Sequence, residues 1–151
     1  MKLRSKMPEL MGEAAWLNGS VKRDDLVGKR PTIIHFWSMS CHECKEGFPQ
    51  FNQFRKAFDE RVNFIAVHMP RSQEDTDIGR IKKIARRYKI TQPIFVDNQM
   101  TLTDLFNNQY VPSYYLFDQN GLLRHYQSGG SGMKMLEKRV LKLLNEKVDG
   151  I

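Results

Sequence analysis

Two cysteines occur among the 151 residues, three positions apart in Cys41-His42-Glu43-Cys44. Random placement of two cysteines in such a chain gives that separation about 1.3% of the time, so the spacing carries information. Cys41 follows the apolar, β-branched run 32–37, and the segment after it carries Phe48, Phe51, Phe54 and Phe58 at helical spacing. A thiol at a helix start meets unpaired backbone N–H groups and the positive end of the helix dipole. There its pKa falls from about 8.5 into the range ~3.5 to 7.5, which makes a nucleophile at neutral pH. The second sulfur, one turn in, lies close to the first but deeper. Cys41 is therefore expected to be the accessible thiol that attacks a substrate disulfide, and Cys44 the buried thiol that resolves the mixed disulfide.

Other chemistries fit two thiols less well. Structural zinc needs a second pair of ligands, and His35, His42, His68 and His125 do not supply one at knuckle-like spacing. Two thiolates, with Met39 or a histidine, would suit copper(I), so a metallochaperone is the rival from outside enzyme chemistry.

The elements that position the pair alternate between strand and helix. The run 32–37 reads as a strand buried on both faces and 62–68 as a second buried strand, 113–117 reads as a strand of strong β propensity, and 92–97 as a shorter strand. Asp118-Gln119-Asn120-Gly121 predicts a turn into an antiparallel strand over 122–127. Ile78, Ile81, Ile84, Ala85 and Tyr88 interleave with Arg80, Lys82, Lys83, Arg86, Arg87 and Lys89, which reads as a helix with a solvated basic back rather than a phosphate-binding patch. Residues 102–107 predict a short helix. A terminal helix is expected to bury Met135, Leu136, Val140, Leu141 and Leu144 and to expose Lys134, Lys138, Lys142 and Lys147. Residues 24–29 read as a polar connection. Ahead of it, residues 15–17, the pair Asn18-Gly19 and Val21 predict a short β-hairpin.

Length and composition predict one soluble domain over 1–151, and the order of strands and helices makes it α/β, with residues 1–30 an extension carrying the hairpin and 31–151 the core with an added αβ unit. The formal charge of +7 hints at acidic partners, and no nucleic-acid motif accompanies it. No apolar stretch approaches the ~20 residues that cross a bilayer. The basic start, Lys2, Arg4 and Lys6, is not followed by a signal-peptide apolar region, so the expected location is cytoplasmic, or extracytoplasmic after loss of a leader or anchor.

The segment Phe36-Trp37-Ser38-Met39-Ser40-Cys41-His42-Glu43-Cys44 resembles the active-site segment of the thioredoxin superfamily, and the sequence over 45–49 resembles its TlpA-like or ResA-like branch. Met7-Pro8-Glu9-Leu10, Leu26-Val27-Gly28-Lys29, residues 111–118 and Asn120-Gly121 match the same branch, so the resemblance covers nearly the whole chain. It implies a thioredoxin-like fold, a central mixed sheet flanked by helices, and a thiol-disulfide oxidoreductase that needs no metal or cofactor. It also implies a cis Val111-Pro112 bond beside the cysteines, Val111 offering its backbone to substrate, and an apolar contact rim of Trp37, Met39 and Pro112. His42 and Glu43 occupy the positions through which the family tunes redox potential. His35 matches the buried acid of thioredoxins, and Gly47 stands where ResA-like proteins have a functional Glu. His35 is therefore the candidate proton acceptor for Cys44. Ser40 replaces the family's usual Trp before the first cysteine. The expected partners are protein disulfide or dithiol substrates and a recycling reductant, with the chain acting as a monomeric reductant. A peroxiredoxin-like peroxidase is the rival on the same fold, but Ser38 occupies the place of its Thr-x-x-Cys threonine.

Overall fold

A computed structural model describes residues 1–146. Strand β1 spans Ala15–Leu17, β2 Thr32–Trp37, β3 Asn63–His68, β4 Ile94–Val96, β5 Ser113–Phe117 and β6 Leu123–Ser128. Helix α1 spans Arg23–Leu26, α2 His42–Phe58, α3 Ile78–Arg87, α4 Thr101–Phe106 and α5 Met133–Leu144. Lys147 lies outside the described residues.

The strands form one mixed sheet in the order β1-β4-β3-β2-β5-β6. β2 runs parallel to β3, and β3 to β4, while β5 pairs antiparallel with β2 and β6 with β5. β2 is central and every residue of it is buried, which is why its sequence shows no polar alternation. Its two faces feed different cores. Ile34 and Phe36 pack with Met7, Leu10, Leu26, Leu102 and Phe106 on the side of α1 and α4. Ile33 packs with Phe51 and Phe54 of α2 and Leu136 and Val140 of α5, and Trp37 with Phe48 of α2 and Ile81 and Ala85 of α3. Helix α2 thus lies on the sheet with its phenylalanines inward, and its first turn projects from the end of β2. This is the thioredoxin-like α/β arrangement.

Three local expectations change. The turn at Asn18-Gly19 exists, with φ of 63° and 110°, but no second hairpin strand follows it among the described residues. β1 instead pairs antiparallel with β4, Ala15 opposite Val96 and Leu17 opposite Ile94. Beyond the turn, Ser20-Val21-Lys22-Arg23 has too little apolar surface to make a strand, whereas β4 offers a wholly buried one. The Asn18 side-chain amide fixes the turn by donating to the carbonyls of Ile90 (2.8 Å) and Gln92 (3.0 Å). The connection over 24–29 begins with the single turn of α1. In α5 the buried residues are Met133, Leu136 and Val140, while Met135 and Leu141 face solvent. The helix meets the sheet along one i, i+3, i+7 line, narrower than the apolar content suggests.

Candidate active site

Cys41 caps the N-terminus of α2, and its Sγ accepts the Cys44 backbone N–H at 3.1 Å. The two cysteines form a disulfide with Cα atoms 5.3 Å apart. In this oxidised state Cys41 and Cys44 are 3% and 2% exposed, so the expected contrast in accessibility is absent. Trp37 and Met39 belong to the same buried cluster as the two cysteines, and the partly buried Val111 packs against that cluster. What distinguishes the cysteines is the field: Cys41 Sγ receives the helix N–H, the arrangement that stabilises a thiolate.

The residues leading to Cys41 are held by polar groups from β3 and the loop after it. The Ser38 hydroxyl donates to the Met69 carbonyl, and the Met39 N–H donates to His68 Nε2 at 3.0 Å. Ser40 donates its hydroxyl to Asp75 Oδ2 (2.7 Å), and Arg71 donates to the Ser40 carbonyl (2.7 Å) and, from its backbone, to Asp75 (2.9 Å). Ser40 therefore replaces an aromatic wall with a hydrogen-bonded bracket. Burial pushes the His68 pKa down to about 4, only partly offset by Asp75, so the ring is neutral and its Nε2 is free to accept. His68, Arg71 and Asp75 were not foreseen as site residues. The signal lay in the parallel register, which sets Trp37 beside His68 and so brings the two loop mouths together.

The opposite side is built by β5 and the turn before α5. The Val111-Pro112 bond is cis, and the Val111 carbonyl oxygen lies 3.8 Å from Cys41 Sγ. Gly129 donates its N–H to the Pro112 carbonyl (2.9 Å), and Gly130 donates its own to Glu43 Oε2 (2.7 Å). A Cβ on Gly130 would lie 2.8 Å from Glu43 Cγ, so glycine is what lets the carboxylate in. Glu43 is thus turned to this turn, and His42 pairs with Glu46 on the exposed side of the helix. Trp37 and Met39 share a buried cluster with the two cysteines, and Pro112 is buried as well, so the three do not form an open rim. Gly47 faces open space.

His35 lies deeper than its expected role requires. It is 2% exposed, with ring centroids 4.6 Å from Phe51, 5.6 Å from Phe48 and 4.5 Å from Tyr114, on which it stacks. Neither ring nitrogen has a hydrogen-bond partner, and burial pushes the pKa down to about 3. Transfer of a proton from an ordinary thiol, pKa about 8.5, to such a ring is uphill by roughly 7.5 kcal/mol. The geometry therefore places His35 in the aromatic core beneath α2 and argues against the proton-acceptor role.

No helix among the described residues is long and apolar enough to cross a membrane. The AhpC/TSA family model matches residues 3–126. The thiol-disulfide oxidoreductase YkuV of Bacillus subtilis is 62% identical over 146 residues, covering 97% of this chain and 99% of that protein. A thioredoxin-like protein solved in solution in its oxidised form is also 62% identical, with a TM-score of 0.88 over 95% of this chain and 97% of the other. The crystal structure of the thioredoxin-like superfamily protein SPOA0173 is 27% identical, with a TM-score of 0.82 over 94% and 97% of the two chains.

Proposed function

The chain belongs to the AhpC/TSA family within the thioredoxin superfamily and is a thiol-disulfide oxidoreductase, and on that premise we propose that it reduces protein disulfides in the cytoplasm, with Cys41 as nucleophile and Cys44 as resolving thiol. The Cys41 thiolate attacks one sulfur of a substrate disulfide, forms the mixed disulfide and expels the other sulfur as a thiolate, which takes up a proton. Cys44 then loses its proton to solvent and attacks Cys41 Sγ. The second substrate thiolate leaves, and two electrons have passed to the substrate. A dithiol reductant returns the Cys41–Cys44 disulfide to its reduced form by the same exchange.

The observation that carries this assignment is the Cys44 N–H on Cys41 Sγ at the start of α2, with the Val111 carbonyl against the same sulfur. It supports Cys41 as the stabilised thiolate and Val111 as the backbone beside which a substrate strand docks. The Ser38 hydroxyl, held by the Met69 carbonyl, gives no support to a peroxidase reading in which that position activates peroxide. A Cys44→Ser variant should accumulate a Cys41-linked mixed disulfide with a disulfide-bonded peptide, detected by mass spectrometry. Preferential alkylation of Cys44 over Cys41 in the reduced wild type at near-neutral pH would overturn the assignment.

A further inference from the structure

The solvated back of α3 does more than face water. Lys82 and Arg86 stand at i and i+4 on one side of α3, and with Lys89, just past the end of the helix, they line a cavity of about 650 Å³. Helix α2 contributes Arg55 and Lys56 to the lining, and β1 contributes Trp16. Five cations line this cavity and no carboxylate does. None of the five makes an ion pair among the described residues; Asp59, just past α2, acts on Arg55 without pairing with it. Arg55 is 8% exposed, its guanidinium spans to the Lys89 carbonyl at 3.3 Å, and its Nε has no partner. Burial pushes its pKa down, and Asp59 only partly offsets this. Lys89 holds φ at 58°, a conformation that ordinarily selects glycine at a helix end, yet the residue there is a lysine that faces the cavity.

We propose that this groove binds a phosphate-bearing small molecule of nucleotide size. The volume lies within the ~300 to 1,000 Å³ of small-molecule sites. Two guanidinium forks among the five cations suit phosphate oxygens, which accept paired N–H donors. A di- or triphosphate concentrates several charges within the cavity, whereas an acidic peptide spaces its charges by about 3.3 Å per residue along an extended strand and would run out of the groove. Trp16, Ala85 and Ile90 give the apolar wall for the remainder of the ligand. Arg55 lies fourteen residues along α2 from Cys41, about 20 Å of helix, so the occupant does not touch the disulfide.

The test is calorimetric titration and thermal denaturation of the oxidised full chain with ATP, with inorganic tripolyphosphate, with sulfate at matched ionic strength and with an oligoglutamate peptide. Either phosphate compound should bind and raise the melting temperature beyond the sulfate control. A Lys82→Ala, Arg86→Ala double variant should bind at least tenfold more weakly, while a Lys134→Ala, Lys138→Ala variant on α5 should bind as the wild type does. Tighter binding of ATP identifies a nucleotide, and equal binding identifies the phosphate chain as the recognised part. Disulfide reduction should persist in both variants, since neither alters the cysteine site. A response no greater than that to sulfate, equal losses in the two double variants, or tighter binding of oligoglutamate would overturn the proposal.

Discussion

Lowering the pH from 8 to 5 should destabilise the oxidised protein by about 4 kcal/mol through two buried histidines alone. Both imidazoles titrate at 6.5 when exposed, and burial holds His35 near 3 and His68 near 4 in the folded chain. Because the folded values are the lower ones, the unfolded chain takes up protons first as pH falls. Stability is full above pH 6.5, declines through the window from 6.5 to about 3 or 4, and then levels off. At pH 5 each group contributes about 2 kcal/mol of that loss. Both rings are almost wholly buried, so solvent screening does not discount it. Asp97 acts in the opposite sense, since burial raises its pKa, but it is common to wild type and variant and cancels in their difference. In His35→Phe, a ring-for-ring change among Phe48, Phe51 and Tyr114, the loss between pH 8 and 5 should shrink to about 2 kcal/mol. Urea midpoints followed by tryptophan fluorescence at fixed ionic strength measure it. A variant as acid-sensitive as the wild type would refute the burial argument. A mixed-disulfide resolution rate slowed by 10²- to 10⁴-fold in the same variant would restore His35 as the proton acceptor.

Asp75→Ala removes the acceptor shared by the Ser40 hydroxyl and the Arg71 N–H, and should cost about 2 kcal/mol and speed hydrogen exchange over residues 39–41. Unchanged exchange there would show that the bracket does not hold the approach to Cys41. Gly47→Ala should stabilise the protein by about 0.8 to 1 kcal/mol, because the residue lies inside α2 and its added Cβ meets only open space. A fall in melting temperature would mean that the added methyl does not sit in open space and that α2 needs glycine there.

The elements nearest the disulfide were the most legible because their burial is simplest. β2 and β5 are buried throughout and β3 almost so, which forces continuous apolar sequence, and their observed bounds fall within a residue of the apolar runs. Where burial depends on a distant partner, local pattern misled. Asn18-Gly19 does adopt positive φ, but whether a hairpin follows depends on competition between a weak return strand and the free edge of β4, some eighty residues away. Met135 and Leu141 failed as core residues because composition does not say how wide a stripe the sheet will cover.

At the site the cysteine pair was legible from spacing alone, whereas the groups that hold it were not, because each reaches it through the sheet. The approach to Cys41 is bound by His68, at the end of β3, and by Arg71 and Asp75 just beyond; all three arrive beside Ser38, Met39 and Ser40 only because β2 and β3 run parallel in register. Glu43 gave the same difficulty in reverse. Its place inside the Cys-x-x-Cys suggests a charge acting on the sulfurs, yet its carboxylate meets the Gly130 amide 87 residues later in the chain. Gly129, next to it, binds the Pro112 carbonyl, so one short turn is joined to both the helix that carries the cysteines and the residue beside the Val111 carbonyl. Cys41 is therefore bracketed from both neighbours of β2: through β3 on the approach side and through β5 and β6 on the Val111 side. Its position against Val111 follows from strand register, a long-range property that neighbouring residues in sequence do not encode.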